Sequence, residues 1–152
     1  MERSTPLQVV FYMTPGGHEP VREWLRSLQK NEKKKIGEDV KTVQFGWPIG
    51  MPVVEKLDRD LWEVRTKLRN KISRVIVTVY ENQIVLLHGF IKKTQKTPQH
   101  EILIARKRMK EVLQKSSIQK EVLHIFLLKE DYSGNLFLPS GLMVHWRYRP
   151  SF

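Results

Sequence analysis

The feature that most constrains the fold is a run of alternating side chains between residues 61 and 91. Trp62, Val64, Thr66 and Leu68 form one face of a first stretch, opposite Glu63, Arg65 and Lys67, and the stretch after Asn70 is rich in β-branched residues. A period of two places successive side chains on opposite faces of a strand, so each stretch predicts a half-buried β-strand. Turns at Asn70 and at residues 81–83 divide the run. We therefore predict a three-stranded antiparallel meander.

The segment before the meander predicts one more strand and two helices, and the segment after it predicts a third helix. Residues 7–12 alternate as a strand does, and Pro20 suits the first turn of the helix that follows. A second helix is expected from an N-cap at Asn31 to a stop at Gly46. Apolar residues at helical spacing between 102 and 113 predict the third helix.

This order of elements predicts an α+β fold. We expect an antiparallel sheet, made of the N-terminal strand and the meander, packed with two N-terminal helices and followed by the third helix. Residues 47–56 hold two prolines and are expected to form an ordered loop. The pattern ends near residue 114, so we expect a domain over 1–114 and a C-terminal extension of unknown role over 115–152.

Charge is the largest compositional signal in the chain. There are 27 Lys and Arg residues against 16 Asp and Glu, a net charge of +11. An excess of positive charge attracts polyanions, so nucleic acid is the leading class of partner, and a merely solvated basic surface is the alternative. Between residues 92 and 110, seven basic residues stand against the single acid Glu101. This local concentration favours a binding surface.

Several classes of site and location are disfavoured. The chain has no cysteine, which excludes disulfides, thiolate nucleophiles and cysteine zinc sites. Its histidines lack metal-ligand spacing, so we expect no metal, and we expect no other cofactor. Asp58, Asp60 and Glu63 are expected to be surface residues. The N-terminus lacks a signal-peptide core and no stretch is apolar enough to span a bilayer, so we expect a cytoplasmic protein without a membrane contact.

Three lysines crowd the end of the last meander strand. Lys92, Lys93 and Lys96 lie between an apolar strand and an amphipathic helix. Ammonium groups and backbone N–H donors at such a position can hold a phosphate. A solvated basic loop is the alternative interpretation.

Two arginines and a histidine are predicted to share one face of the meander. A two-residue turn at 69–70 makes Arg65 and Arg74 cross-strand partners, whereas a three-residue turn separates them across the sheet. A three-residue turn at 81–83 places His88 on the same face. Like charges on adjacent strands repel, so this arrangement favours a site at which an anion lies between them.

These residues together resemble a known family. The segments 61–65 (LWEVR) and 86–98 (LLHGFIKKTQKTP), with Arg74 between them, are similar to the phage-derived Gp49-like branch of the RelE/HigB toxin superfamily. The resemblance covers about Val9 to Leu113, and residues 92–98 are its most specific part. It implies a RelE-like fold and a ribosome-dependent messenger-RNA endonuclease (an mRNA interferase), the toxin of a type II toxin–antitoxin system.

The implied chemistry is independent of a metal, because the RNA supplies the 2′-hydroxyl nucleophile and the protein supplies a base, a charge clamp and an acid. We expect four catalytic residues: Arg74, Lys92, Lys93 and His88. We expect four RNA-binding residues: Arg65, Lys67, Lys96 and Arg106. His88 has an alternative interpretation as a packed strand histidine that bonds a neighbour. An ordinary lysine is protonated near neutral pH, so only a lowered pKa makes it a base.

The partners that the resemblance implies are messenger RNA on the ribosome and a helix-turn-helix antitoxin similar to HigA. Operator DNA is expected to bind only through the antitoxin complex. Two other functions stay open at this point. One is a non-catalytic nucleic-acid-binding module, and the other is a toxin homologue that has been silenced.

Overall fold

The computed structural model describes residues 5–128, 134–137, 141 and 143–146. The chain divides into two compact units, Met1–Met109 and Lys110–Phe152. The elements, in chain order, are β1 (Gln8–Phe11), α1 (Pro20–Ser27), α2 (Lys30–Gly46), β2 (Val54–Asp58), β3 (Leu61–Lys67), β4 (Ile72–Tyr80), β5 (Gln83–Lys92), α3 (Gln99–Leu128), β6 (Gly134–Phe137) and β7 (Met143–Trp146). The predicted α+β class is confirmed.

The first unit is built on a five-stranded sheet with the strand order β1-β5-β4-β3-β2. Strands β3, β4 and β5 are the predicted meander, and each is antiparallel to the next. Strand β1 joins the sheet beside β5 but runs parallel to it, so the expectation of an antiparallel sheet is wrong for the N-terminal strand. No hairpin connects β1 to its neighbour in the sheet, so turn geometry does not fix its direction.

Strand β2, Val54–Asp58, lies in the segment that we expected to form a loop. It pairs antiparallel with β3 and forms an edge of the sheet. Only Val54 in this strand is buried, and the strand follows a segment with two prolines. An edge strand of five residues offers too short an alternation to stand out from the proline signals before it.

Helices α1 and α2 bury their apolar stripes against the sheet. Buried side chains of the helices and of the central strands form one core cluster: Val21, Ile36, Val40, Val43, Val64, Val75, Val77, Ile84 and Leu86. Burying one such side chain stabilises the fold by roughly 1.5–3 kcal/mol. The alternate residues of β3, β4 and β5 face the other side of the sheet, and these carry the charges described below.

The ends of α2 differ in how well the sequence predicts them. The helix stops at Gly46, as expected, but its N-cap is Gln29 and not Asn31. The backbone N–H of Gln29 donates to the Glu32 carboxylate at 3.2 Å, and this capping box starts the helix at Lys30.

Helix α3 continues to Leu128, well beyond the predicted end near residue 113. The second unit also contains an antiparallel hairpin of β6 and β7. The sequence also carries turn signals at 133–135 and 139–141; of these residues, Gly134 and Asn135 lie in β6, and 133, 139 and 140 lie outside the described residues. The division at residue 114 and the role of 115–152 stay predictions. Over the residues described, no helix is both long and apolar enough to cross a membrane.

Candidate functional site

The two arginines of the meander lie opposite each other. Arg65 of β3 pairs with Arg74 of β4, and the backbone N–H of Leu68 donates to the carbonyl of Lys71 at 2.9 Å. That bond closes a two-residue turn at 69–70. The sequence left two turn lengths open, and the structure has the one that brings the guanidinium groups to the same face.

The β4–β5 pairing reaches the predicted register by a different route. The turn has two residues, 81 and 82, both with positive φ, where we expected three. A β-bulge next to Ile76 adds one residue to β5 further along the pair. The predicted pairs therefore form, with Arg74 opposite Phe90 and Ile76 opposite His88.

A buried carboxylate lies between the two arginines. Glu63 is fully buried, and its Oε1 atom lies 2.6 Å from Nη1 of Arg74 and 3.1 Å from Nε of Arg65. The expectation that Glu63 is a surface residue is therefore wrong. The negative charge that offsets the repulsion between the guanidinium groups belongs to the protein itself. Alternation along β3 contained this signal, because Glu63 and Arg65 are two residues apart and share a face.

Arg74 and Glu63 also anchor residues 93–98, the segment between β5 and α3. We name this segment the lysine loop. Arg74 donates from Nη2 to the carbonyl of Gln95 at 3.0 Å and from Nη1 to the hydroxyl of Thr97. The Thr97 hydroxyl in turn donates to Oε2 of Glu63. The sequence analysis assigned no role to Glu63 or Thr97 in the site.

Arg74 is only 1% exposed, so its charge acts from inside the protein. Its guanidinium contacts the Thr97 hydroxyl, the Gln95 carbonyl and the Glu63 carboxylate. The buried Nε atom has no hydrogen-bond partner within the described part of the chain. A guanidinium in this position can hold a loop through hydrogen bonds and lower the pKa of neighbouring cationic groups. Direct contact with a ligand would require the lysine loop to shift.

Lys92, the last residue of β5, is the half-buried cation beside this pair. Burial lowers the pKa of Lys92 below that of an ordinary lysine, the nearby guanidinium groups of Arg74 and Arg65 lower it further, and Glu63 partly offsets them. Its ammonium group makes no hydrogen bond or ion pair with any residue that the structure describes. Lys92 is therefore a partly desolvated cation that is available to bind an anion.

Arg65 forms the more exposed half of the arginine pair. Its side chain is 24% exposed and contacts the carboxylates of Glu55 and Glu63. Burial lowers the pKa of Arg65, as does the charge of Arg74. Lys67 lies two residues further along β3 and is exposed. It lines a cavity of about 510 Å³ between the 69–70 turn and the start of α2.

The structure brings together Arg65, Arg74 and Lys92, with Lys93 and Lys96 exposed on the loop that Arg74 holds. It does not bring Arg106 to this group, because that guanidinium contacts the Asp58 carboxylate at the end of β2. It also does not bring His88 there.

His88 belongs to a second cluster, at the start of α3. Its Nδ1 atom lies 3.2 Å from Nη1 of Arg108, and its Nε2 atom contacts the Glu101 carboxylate. A guanidinium only donates, so Nδ1 accepts and Nε2 carries the proton. Burial lowers the pKa of His88, although the Glu101 carboxylate opposes that shift. Both ring nitrogens are engaged, as the packed-histidine interpretation requires, and a catalytic role for His88 stays a prediction.

Comparison with known proteins gives one family. A model of the phage-derived protein Gp49-like family (DUF891) matches residues 23–110 of the chain, which include the whole of the site described above. No curated protein matches the chain. Over the described residues, no three His, Asp or Glu side chains are grouped as metal ligands are.

Proposed function

The chain belongs to the phage-derived Gp49-like protein family, and from this membership we propose that it is the toxin of a type II toxin–antitoxin system, an endoribonuclease that cuts messenger RNA on the ribosome. The match confirms the predicted family, which is compatible with such a toxin. The observation that most supports the proposal is Lys92. It is a cation without an acidic partner among the described residues, held beside two guanidinium groups at the edge of a basic loop.

RNA needs no external nucleophile for this reaction, because each 2′-hydroxyl lies next to the phosphate that it attacks. The 2′-oxygen bonds to phosphorus while its proton passes to a base, and the bond from phosphorus to the 5′-oxygen breaks as that oxygen takes up a proton from water. The products are a 2′,3′-cyclic phosphate and a 5′-hydroxyl end. The protein therefore supplies proton transfer and positive charge at the phosphate.

We assign these roles within the site. Lys92 is the base, since its lowered pKa raises the fraction of neutral amine near neutral pH. Arg65 stabilises the charge that develops on the phosphate oxygens. Lys93 and Lys96 bind neighbouring phosphates of the strand. Arg74 is buried near Lys92, and its charge lowers the pKa of that lysine. Its hydrogen bonds also hold the lysine loop.

We propose that cleavage depends on the ribosome, because the groups assigned above act through charge and proton transfer. Cations bind a phosphate, but they do not turn the 2′-hydroxyl into line with the leaving oxygen. A ribosome that holds the codon in an extended form supplies this alignment, which is worth several orders of magnitude in rate. The proposed antitoxin is a helix-turn-helix protein similar to HigA, whose acidic groups cover or distort this basic surface in the cytoplasm.

The test is a primer-extension cleavage assay on one messenger, with and without translating ribosomes. Lys92→Met should reduce cleavage by roughly a hundredfold or more. Lys92→Arg keeps the positive charge but cannot give up a proton near neutral pH, so it should bind RNA and fail to cut it. Lys56→Met, which removes an exposed lysine from β2, is the matched control and should cut as the wild type does.

Each outcome distinguishes one part of the proposal. Wild-type cleavage by Lys92→Arg would show that Lys92 acts only through its charge. Equal cutting of naked RNA would reject ribosome dependence. RNA binding without cleavage in either condition would favour the non-catalytic module or the silenced toxin.

A further inference from the structure

We propose that Glu63 and Thr97 are positioning residues of this site. Acting through Arg74, they fix the shape of the lysine loop and so the places at which Lys93 and Lys96 meet a nucleic-acid backbone. The inference rests on the proposed function for its activity measurement, but its structural part can be tested without it.

The hydrogen bonds among these residues have a defined direction. The Thr97 hydroxyl accepts from Nη1 of Arg74 and donates its single proton to Oε2 of Glu63. The other oxygen of Glu63 forms an ion pair with Nη1 of Arg74 at 2.6 Å. Glu63, Arg74 and Thr97 therefore form a closed ring of two charge-assisted hydrogen bonds and one ion pair, in which each member restrains the orientation of the other two.

This ring meets the lysine loop at two points on either side of Lys96. Arg74 holds the carbonyl of Gln95 at 3.0 Å, and the ring contains the hydroxyl of Thr97. Inside the loop, the hydroxyl of Thr94 donates to the carbonyl of Lys96 at 2.8 Å. The backbone that carries Lys96 is thus fixed before a ligand binds, while the Lys96 side chain stays exposed. Such preorganisation is what a site needs to place a phosphate accurately.

A role through charge and a role in positioning predict different cleavage rates when Glu63 is replaced. Replacing Glu63 by Gln removes a negative charge beside three cations, so a site that worked by charge alone would bind RNA more tightly and cut no more slowly. If Glu63 positions the loop, the same change should leave RNA binding intact or tighter and should slow cleavage. Thr97→Val changes no charge and deletes both hydrogen bonds of the hydroxyl.

The experiment compares Thr97→Val, Thr97→Ser and Glu63→Gln with the wild type. Hydrogen–deuterium exchange should become faster in residues 93–98 of the Val variant and return to the wild-type rate in the Ser variant, which keeps the hydroxyl. Cleavage on ribosomes should fall by roughly tenfold to a hundredfold in the Val variant, with RNA affinity within about twofold of the wild type. Thr42→Val, which removes a hydroxyl bonded within α2, is the control and should change neither measurement.

Unchanged exchange in residues 93–98 of Thr97→Val would overturn the inference, whatever the activity. Loss of cleavage in both the Ser and the Val variants would also overturn it, because the hydroxyl would then not be the group that matters. If the wild type itself does not cut RNA, the proposed function fails, and the exchange data alone decide the role of Glu63 and Thr97. Thr97 is half-buried, so its variants keep the test valid even if Glu63→Gln does not fold.

Discussion

Replacing Glu63 by Gln should destabilise the fold by about 3 kcal/mol, near the lower end of the 3–5 kcal/mol cost of breaking a buried ion pair. The cost falls on Arg74, which is 1% exposed and would keep its charge without a carboxylate partner. Arg65 contributes less, because its side chain is 24% exposed and also contacts Glu55. The new amide oxygen can still accept one hydrogen bond, which places the estimate at the lower end of the range. Urea unfolding at neutral pH measures the difference.

A double variant separates the ion pair from general disruption of the sheet. Arg74→Met alone should also be destabilising, since among the described residues it leaves the buried Glu63 with Arg65 as its remaining ion-pair partner. Combining it with Glu63→Gln should cost less than the sum of the two single changes, by about 0.5–3 kcal/mol. Additive costs would contradict the direct pairing of these two side chains.

The contact between Arg106 and Asp58 is the matched control. Both side chains are partly exposed, so Asp58→Asn should cost about 1 kcal/mol or less. A cost for Glu63→Gln no larger than this control would refute the reasoning, because it would mean that the buried Arg74 does not depend on its carboxylate.

Two further changes test the packing and titration of the same sheet. Gly89→Ala should destabilise by about 1–3 kcal/mol, because the added methyl group meets the Trp24 ring, whereas Gly37→Ala in α2 has open space and should stabilise slightly. A neutral Gly89→Ala would show that Trp24 can move aside. Burial lowers the pKa of His88 in the folded protein. Below about pH 6.5 the unfolded chain therefore binds more protons than the folded one. The free energy of unfolding that is present above this pH is lost as the pH falls. His88→Gln should flatten the stability profile between about pH 5 and 7, and an unchanged slope in this variant would contradict the assignment.

The meander and its register could be predicted because they depend on local signals. Period-two alternation identifies β3, β-branched and apolar runs identify β4 and β5, and turn length fixes which residues oppose each other. The turn at 69–70 was one of two lengths that the sequence allowed. The β4–β5 pairs came out as predicted although the turn did not, because the bulge beside Ile76 supplies the residue that the shorter turn omits.

The contacts among the side chains of the site could not be predicted in the same way. Contact between Thr97 and Glu63 joins residues 34 positions apart, and it exists only because the lysine loop folds back over the sheet. No periodicity or turn signal reports such a contact. A charged side chain is also rarely fully buried, so the usual preference placed Glu63 at the surface. Its position on the same strand face as Arg65 was the available sign, and it becomes decisive only when the burial of Arg74 is known.

The buried carboxylate also changes how the repulsion between the arginines bears on function. Like charges on adjacent strands indicated that an anion lies between them, and one does, but it is Glu63. The arginine pair therefore does not require a ligand for its stability, and it gives no argument for RNA by itself. The cations that favour RNA binding are Lys92, Lys93 and Lys96, which have no ion-pair partner among the residues that the structure describes. A phosphate backbone can bind several such cations at once. We propose that the ring of Glu63, Arg74 and Thr97 holds the backbone of the lysine loop in the conformation that binds it.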